Sequence, residues 1–149
     1  MVQEDNFSIK EIVQYNDYDL KGLNKLLRQW SATGYQMDAG YFKSLIKHSH
    51  VILLCDKKKV IGTVTLIPVH KLSGKKGSLE HLIVDEKYRG RGLGEKLMRH
   101  AIELAKTLNM ETVFLTYEPD RVAAGSLYKK LGFKIKKTNF FYLHLKNGK

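Results

Sequence analysis

Cysteine is almost absent: Cys55 is the only one in 149 residues. A single thiol forms no internal disulfide, so the chain reads as one suited to a reducing cytoplasm. Long apolar runs are lacking as well. No uninterrupted stretch reaches the roughly 20 residues that a membrane-spanning helix needs. The first residues, Met1-Val2-Gln3-Glu4-Asp5-Asn6, are polar and acidic, without the basic and apolar regions of a secretory leader. His48 and His50 have no carboxylate or cysteine at metal-ligand spacing, so no metal is expected. Repeats and low-complexity tracts are missing too. Acidic side chains are outnumbered, 15 Asp and Glu against 26 Lys and Arg, giving a formal charge of +11.

That charge favours anionic partners. The lysines fall in short groups, at 57–59, 75–76, 129–130 and 134–137, mostly at expected turns or element ends. Spread rather than striped, they argue against nucleic acid and fit a small polyanion. The length suits a single domain, 1–149, with a real core, and 43% hydrophobic residues suit a globular protein.

The most informative stretch present is Val84-Asp85-Glu86-Lys87-Tyr88-Arg89-Gly90-Arg91-Gly92-Leu93-Gly94. The apolar run Leu82-Ile83-Val84 before it reads as a buried strand. After it, Leu93, Leu97, Met98, Ala101, Ala105 and Leu108 recur at helical spacing. A glycine loop between strand and helix suits a pyrophosphate. Glycine lets the backbone come close, and the first-turn N–H groups and helix dipole favour negative charge. Arg89 and Arg91 add charge-assisted hydrogen bonds. The loop lacks the Walker A sequence, and the third glycine of a dinucleotide fingerprint is replaced by Glu95.

What remains, Arg89-x-x-Gly92-x-Gly94, resembles the signature of the GNAT superfamily, the acyl-CoA-dependent N-acyltransferases. A second block, from Arg121 to Phe133, is similar to that family's later CoA-contacting segment. Ala124, Leu127, Tyr128, Gly132 and Phe133 match it, while Arg121 stands where many relatives carry Asn. Gly132 also suits a helix stop that needs a left-handed residue. The resemblance covers residues 51–136 well. It implies acetyl-CoA as co-substrate. The CoA-binding set it implies is Leu82, Ile83, Val84, Arg89, Gly90, Arg91, Gly92, Leu93, Gly94, Glu95, Arg121, Ser126 and Tyr128.

The expected elements are a strand at 7–14, a helix capped by Asp17 or Asp19 and running to about Trp30, and a short helix capped by Asp38. A hairpin of 51–56 and 60–69 follows, then a turn at 74–77 and a strand at 79–84. The long helix ends near Asn109. A strand at 112–116, a helix at 121–131 and two short strands within 134–145 complete the order. This is an α/β (α+β) arrangement, a mixed and mostly antiparallel central sheet flanked by helices. The same element order is that of the GNAT fold, in which, by resemblance, two central strands splay to admit the pantetheine arm.

Acyl transfer to an amine needs a proton acceptor for the amine, donors for the developing oxyanion, and a proton for the leaving thiolate. Tyr128 is the candidate for the thiolate, since the resemblance implies that role for it. Glu80 is the candidate for the amine, as a base acting directly or through water, or as a binder of the ammonium. On a regular strand Glu80, Leu82 and Val84 share a face unless a bulge intervenes, and His81 points to the other. The resemblance also places oxyanion donors among the amides around Leu82 and Val84. Trp30 and Tyr35 border a region that lines the acceptor pocket in that family. Cys55 ends an apolar run and reads as core filler.

The reading is an N-acetyltransferase acting on a primary amine of a small molecule or peptide by direct attack. Residues 79–85 are similar to the strand in glucosamine-phosphate acetyltransferases, which points toward a sugar phosphate or another anionic amine. The alternative is a non-catalytic GNAT-like module that senses CoA or binds nucleic acid. A homodimer is left open.

Overall fold

The computed structural model describes residues 6–146; most of the acidic start, residues 1–5, and residues 147–149 lie outside the described residues. The chain forms two compact units, Met1–Thr116 and Tyr117–Lys149.

The first unit runs β1 (Phe7–Glu11), α1 (Asp17–Trp30), α2 (Ala39–His48), β2 (His50–Asp56), β3 (Lys59–Lys71), β4 (Gly74–Val84), a 3₁₀ turn (Glu86–Tyr88), α3 (Leu93–Thr107) and β5 (Thr112–Phe114). The strands lie in that order in one sheet. The pairs from β1 to β4 are antiparallel, and β5 joins β4 in parallel. The sheet is therefore mixed and mostly antiparallel, as the sequence implied.

β2 is apolar at successive positions because both its faces are covered. Val51, Leu53 and Cys55 join Leu23, Leu26, Phe42 and Ile83 in the core beneath α1 and α2. Ile52 and Leu54 are equally buried, on the other face. There α3 packs closely: a side chain at Gly62 would begin 3.1 Å from Leu97 Cδ1 and 3.4 Å from Leu54 Cβ. Cys55 is buried, as a core filler should be.

The start of α1 differs from expectation. Asn16 is the cap, not Asp17 or Asp19. Its extended backbone lets its side-chain oxygen accept from the Asp19 N–H at 2.8 Å. The Asn16 amide donates back to Asp19 Oδ2 at 2.8 Å. Asp19 thus acts three residues in, closing a reciprocal cap. Asp38 caps α2 as expected, accepting from the Tyr41 N–H at 2.7 Å.

The second correction concerns residues 74–77. They form no turn but open β4, paired with Lys71, His70, Val69 and Pro68 of β3. The glycine at 77 serves packing: a side chain there would begin 2.6 Å from Met110 Sδ. The hairpin turn lies earlier, at Leu72 and Ser73.

The second unit contains α4 (Val122–Lys130). It ends in a Schellman arrangement. The Phe133 N–H donates to Tyr128 O at 2.9 Å and the Gly132 N–H to Lys129 O at 3.0 Å. Gly132 takes φ of 93°, so the expected helix stop is present. The two strands expected within 134–145 are not formed among the described residues. Phe140, Phe141, Tyr142, Leu143 and Leu145 are exposed instead. A run apolar on both faces can hold as a strand only with a ladder partner and cover on each side, and no strand formed among the described residues of this unit supplies them.

Gly22 supplies a test of packing against propensity. An added Cβ would lie 2.8 Å from Val60 Cβ and Cγ2, on the stiff part of a branched side chain. Helix propensity alone favours Gly22→Ala by up to about 1 kcal/mol. Overpacking costs about 1–3 kcal/mol. The expected net result is destabilisation, read as a lower urea midpoint with unchanged slope. Val60→Ala in the same chain should show favourable coupling in a double-mutant cycle. A more stable single variant would refute the tight α1–β3 contact.

Candidate active site

Strand β4 carries an irregularity that its sequence does not announce. Thr65 pairs with Glu80 and Thr63 with Ile83, so two β4 residues, His81 and Leu82, oppose one on β3. His81 absorbs the extra residue with φ of 53°, an uncommon value outside glycine. The bulge breaks the alternation expected for a regular strand. Glu80 shares a face with Ile83, not with Leu82 and Val84. The placement of His81 opposite Glu80 is also corrected, because both line one pocket.

That pocket, about 330 Å³, opens on the α1–α2 side of the sheet. Its floor is a patch of strand residues: Val51, Thr63, Thr65, Ile67, Glu80 and Ile83. Its walls come from α1 (Leu23, Leu27, Trp30), from the connection to α2 (Ser31, Thr33, Tyr35, Met37), and from Tyr41 and Leu45 of α2, with His81 beside them. The Trp30 and His81 rings meet edge to face, with centroids 4.7 Å apart. Trp30 and Tyr35, picked out in the sequence, do line it. Thr33, Met37, Tyr41 and the β3 threonines were missed. Their one visible signal is Thr63 and Thr65, two hydroxyl residues at alternate places in an apolar strand.

Glu80 is the only carboxylate among the lining residues, and no lysine or arginine accompanies it. Ser78 Oγ donates to Glu80 Oε1 at 2.7 Å, which fixes the carboxylate's direction. Thr63 uses its hydroxyl on the Ile52 carbonyl, at 2.9 Å.

Beyond Ser78 the neighbour on the other side of β4 falls away. The β4–β5 pairing ends at Ser78 and Phe114. Residues Leu82 to Val84 therefore run on without a β5 partner and lead into the glycine loop.

The loop itself is pinned at its base. The Asp85 N–H donates to Ile61 O at 2.8 Å, and the buried Asp85 carboxylate accepts from Lys87 N at 3.0 Å. The Glu86 N–H donates to Gln29 Oε1 of α1 at 3.0 Å. Tyr88 donates to Asp56 Oδ2 at 2.8 Å, and that bond, with burial, raises its phenol above the ordinary value. Arg89 Nε donates to Val84 O at 3.1 Å, while the Arg91 guanidinium lies over the Tyr88 ring, 5.4 Å from its centre.

Gly90 and Gly92 adopt φ of 80° and 73°, left-handed values that side chains rarely take. No atom lies within 4 Å of where a Cβ would stand at either. Their glycine identity thus answers to backbone conformation and leaves room above the loop. Gly92 is the N-cap of α3 and no side chain caps this end. Buried Leu93 anchors the helix, Gly94 follows it, and Glu95 pairs with Arg99 at 2.8 Å. The first-turn amides have no intrahelical acceptors. This cradle fits a pyrophosphate.

In the second unit, Arg121 is the N-cap of α4 and Ser126 is exposed on it. Tyr128 is half-buried, its ring set edge-on to Tyr117 and Phe133, with centroids 6.2 and 5.9 Å away. Burial pushes its phenol above the ordinary 10.0, and the Arg121 charge pulls the other way. Among the described residues no group of three or more His, Cys, Asp or Glu is placed to hold a metal. None of the described helices is long and apolar enough to cross a membrane.

Residues 18–133 match the Acetyltransferase (GNAT) family. With most of its length covered, this chain belongs to that family. It is 35% identical over 89 residues to human N-acetyltransferase 8B, a match taking in 58% of this chain and 39% of that protein. The chain thus spans well under half the length of that relative. N-alpha-acetyltransferase 30 of Schizosaccharomyces pombe is 25% identical, over 89% of this chain and 90% of that one. The solved structure of glucosamine-6-phosphate N-acetyltransferase from Arabidopsis thaliana shares the fold at a TM-score of 0.78, with 22% identity, covering 92% and 97% of the two chains.

The loop geometry generates a direct test. Valine at 92 must adopt a left-handed backbone at a cost of roughly 1–2 kcal/mol, or else rebuild the turn. It also places a branched side chain where the space above the loop is now free. Gly92→Val is expected to abolish acetyl-CoA binding by calorimetry while circular dichroism stays native. Unchanged affinity in the folded variant would remove the loop from the site.

Proposed function

We propose that this chain transfers an acetyl group from acetyl-CoA to a primary amine, which attacks directly and forms no covalent enzyme intermediate. The observation that carries the reading is a junction on one strand. Glu80 faces a pocket, and the segment Leu82–Val84, without a β5 partner, joins that pocket to the anion-receptive loop. Family membership supports acetyl-CoA as the donor.

Backbone groups of Leu82, Ile83 and Val84 would hold the pantetheine arm as an added strand would. The amides from Gly90 to Glu95, with Arg89 and Arg91, would hold the pyrophosphate, and Arg121 and Ser126 would contribute from the second segment. Bound acetyl-CoA supplies the acetyl group as an activated thioester. Glu80, steered by Ser78, takes a proton from the amine directly or through one water. Glu80 releases that proton to solvent, the amine nitrogen bonds the acetyl carbon and gives its surplus proton to Glu80, and the carbon–sulfur bond breaks. Tyr128 Oη gives its proton to the departing sulfur and regains one from solvent. Both units carry this one activity in our reading, since the family match runs through each. The single, buried Cys55 supports a reducing cytoplasm.

Release of free thiol from acetyl-CoA across an amine panel tests the activity. Acetyl-CoA binding without turnover of any amine would leave a CoA-sensing module. Tight, salt-dependent binding of DNA or RNA without turnover would leave a nucleic-acid module.

Tyr128→Phe keeps the ring contacts and removes the proton. kcat should fall by roughly 10²–10⁴-fold with little change in the acetyl-CoA KM. The pH dependence has a definite sign. The protonated phenol is the competent form, and burial raises its pKa above 10.0. Donation therefore persists through neutral pH and fails only as pH climbs through that raised value. An equal kcat in the variant, with chemistry rate-limiting, would leave Tyr128 as packing alone.

A further inference from the structure

The family does not fix the acceptor. One relative is named for N-alpha acetylation and another solved relative for glucosamine 6-phosphate. The pocket of this chain carries its own evidence. Its walls are largely aromatic and aliphatic, with Trp30, Tyr35, Tyr41, Met37 and Leu27. Among the described residues Glu80 is its sole acid, and no lysine or arginine lines it to receive a phosphate. An anionic acceptor would bring its charge to a carboxylate in a mostly apolar cavity, where hydroxyls and His81 but no lysine or arginine meet it, so its lost hydration is poorly offset. A cationic one finds a counter-charge in Glu80, which Ser78 aims at 2.7 Å, and aromatic rings that also favour a cation. At about 330 Å³ the cavity lies near the lower end of the roughly 300–1,000 Å³ usual for ligand pockets.

We infer that the acceptor is a small monocationic primary amine on an apolar body, a phenyl-ethyl or a medium-length alkyl group, with the ammonium at Glu80 and the body among Trp30, Tyr35 and Met37. The inference rests on the acetyltransferase reading and narrows it. It turns from the sugar phosphate that the likeness of residues 79–85 suggested. The +11 surface charge does not rescue that acceptor, because none of the permanent positive charge lines the cavity.

The test uses Trp30, which is the only tryptophan in the chain and lines the pocket, so its emission reports occupancy without turnover. Propylamine, butylamine, pentylamine, hexylamine, phenethylamine and glucosamine 6-phosphate are titrated against that emission. The same compounds are then assayed for thiol release from acetyl-CoA. A saturable emission change is expected with hexylamine and phenethylamine. The kcat/KM should rise roughly fourfold for each added methylene in the alkyl series. Tyr35→Ala, at an exposed residue, should flatten that rise without unfolding the protein. Glucosamine 6-phosphate should fall at least about 100-fold below hexylamine, the order by which an apolar pocket rejects even one added hydroxyl. A flat alkyl series, or a preference for the sugar phosphate, overturns this acceptor class and leaves acetyl transfer standing. Emission changes that follow the series with no thiol released from any amine support the pocket's occupant and sink the acetyltransferase reading.

Discussion

One extra residue in β4 governs the arrangement. Without the bulge at His81 and Leu82, strict alternation would turn Ile83 away from the α1–α2 core and put Leu82 on the pocket side. With it, Ile83 seals the core beside Leu23, Phe42 and Val51, and Glu80 stays at the pocket floor opposite Thr65. The bulge also leaves His81 beside Trp30, closing one wall. The strand can tolerate a left-handed histidine because its ends are held firmly. On one side is the long β3 ladder, and on the other the Asp85–Ile61 bond and the Gln29 contact. Strain of this kind costs of order 1–3 kcal/mol and survives only where its surroundings impose it.

What could be read in advance followed physical periodicity. The helix read as running to about Trp30 does end there. Five apolar positions gave the buried face of α3, and Gly132 gave the end of α4. Those signals are local and strong. The bulge was illegible because nothing in Leu79-Glu80-His81-Leu82-Ile83 marks it with glycine or proline; it is imposed by pairing with β3, a long-range fact. The same limit explains the turn misplaced to 74–77. Lys75, Lys76 and Gly77 have turn-like composition, but pairing with residues 68–70 decided the matter. The Asn16 cap was missed for a narrower reason. Two aspartates stood near the helix start, yet the capping geometry belongs to the residue three before the N–H it accepts.

The candidate site divided in the same way. The geometry of the glycine loop was legible because a single local sequence supplies its parts: two left-handed glycines, two arginines and a helix start. The acceptor pocket draws on α1, the following connection, α2 and three strands, and only two of its residues had been singled out as its wall. Contiguous sites announce themselves in sequence; assembled ones need the fold.

The electrostatics separate along the same line. The chain is strongly basic, and Arg89 and Arg91 stand at the loop among charges of both signs, Lys87, Glu86 and Glu95 included. The pocket holds the reverse, one carboxylate and no permanent cation. The two environments therefore differ in the sign of the charge they present. Glu80 and Arg89 are joined by the end of β4, Asp85 and the 3₁₀ turn, so the backbone sets the separation of these two charges.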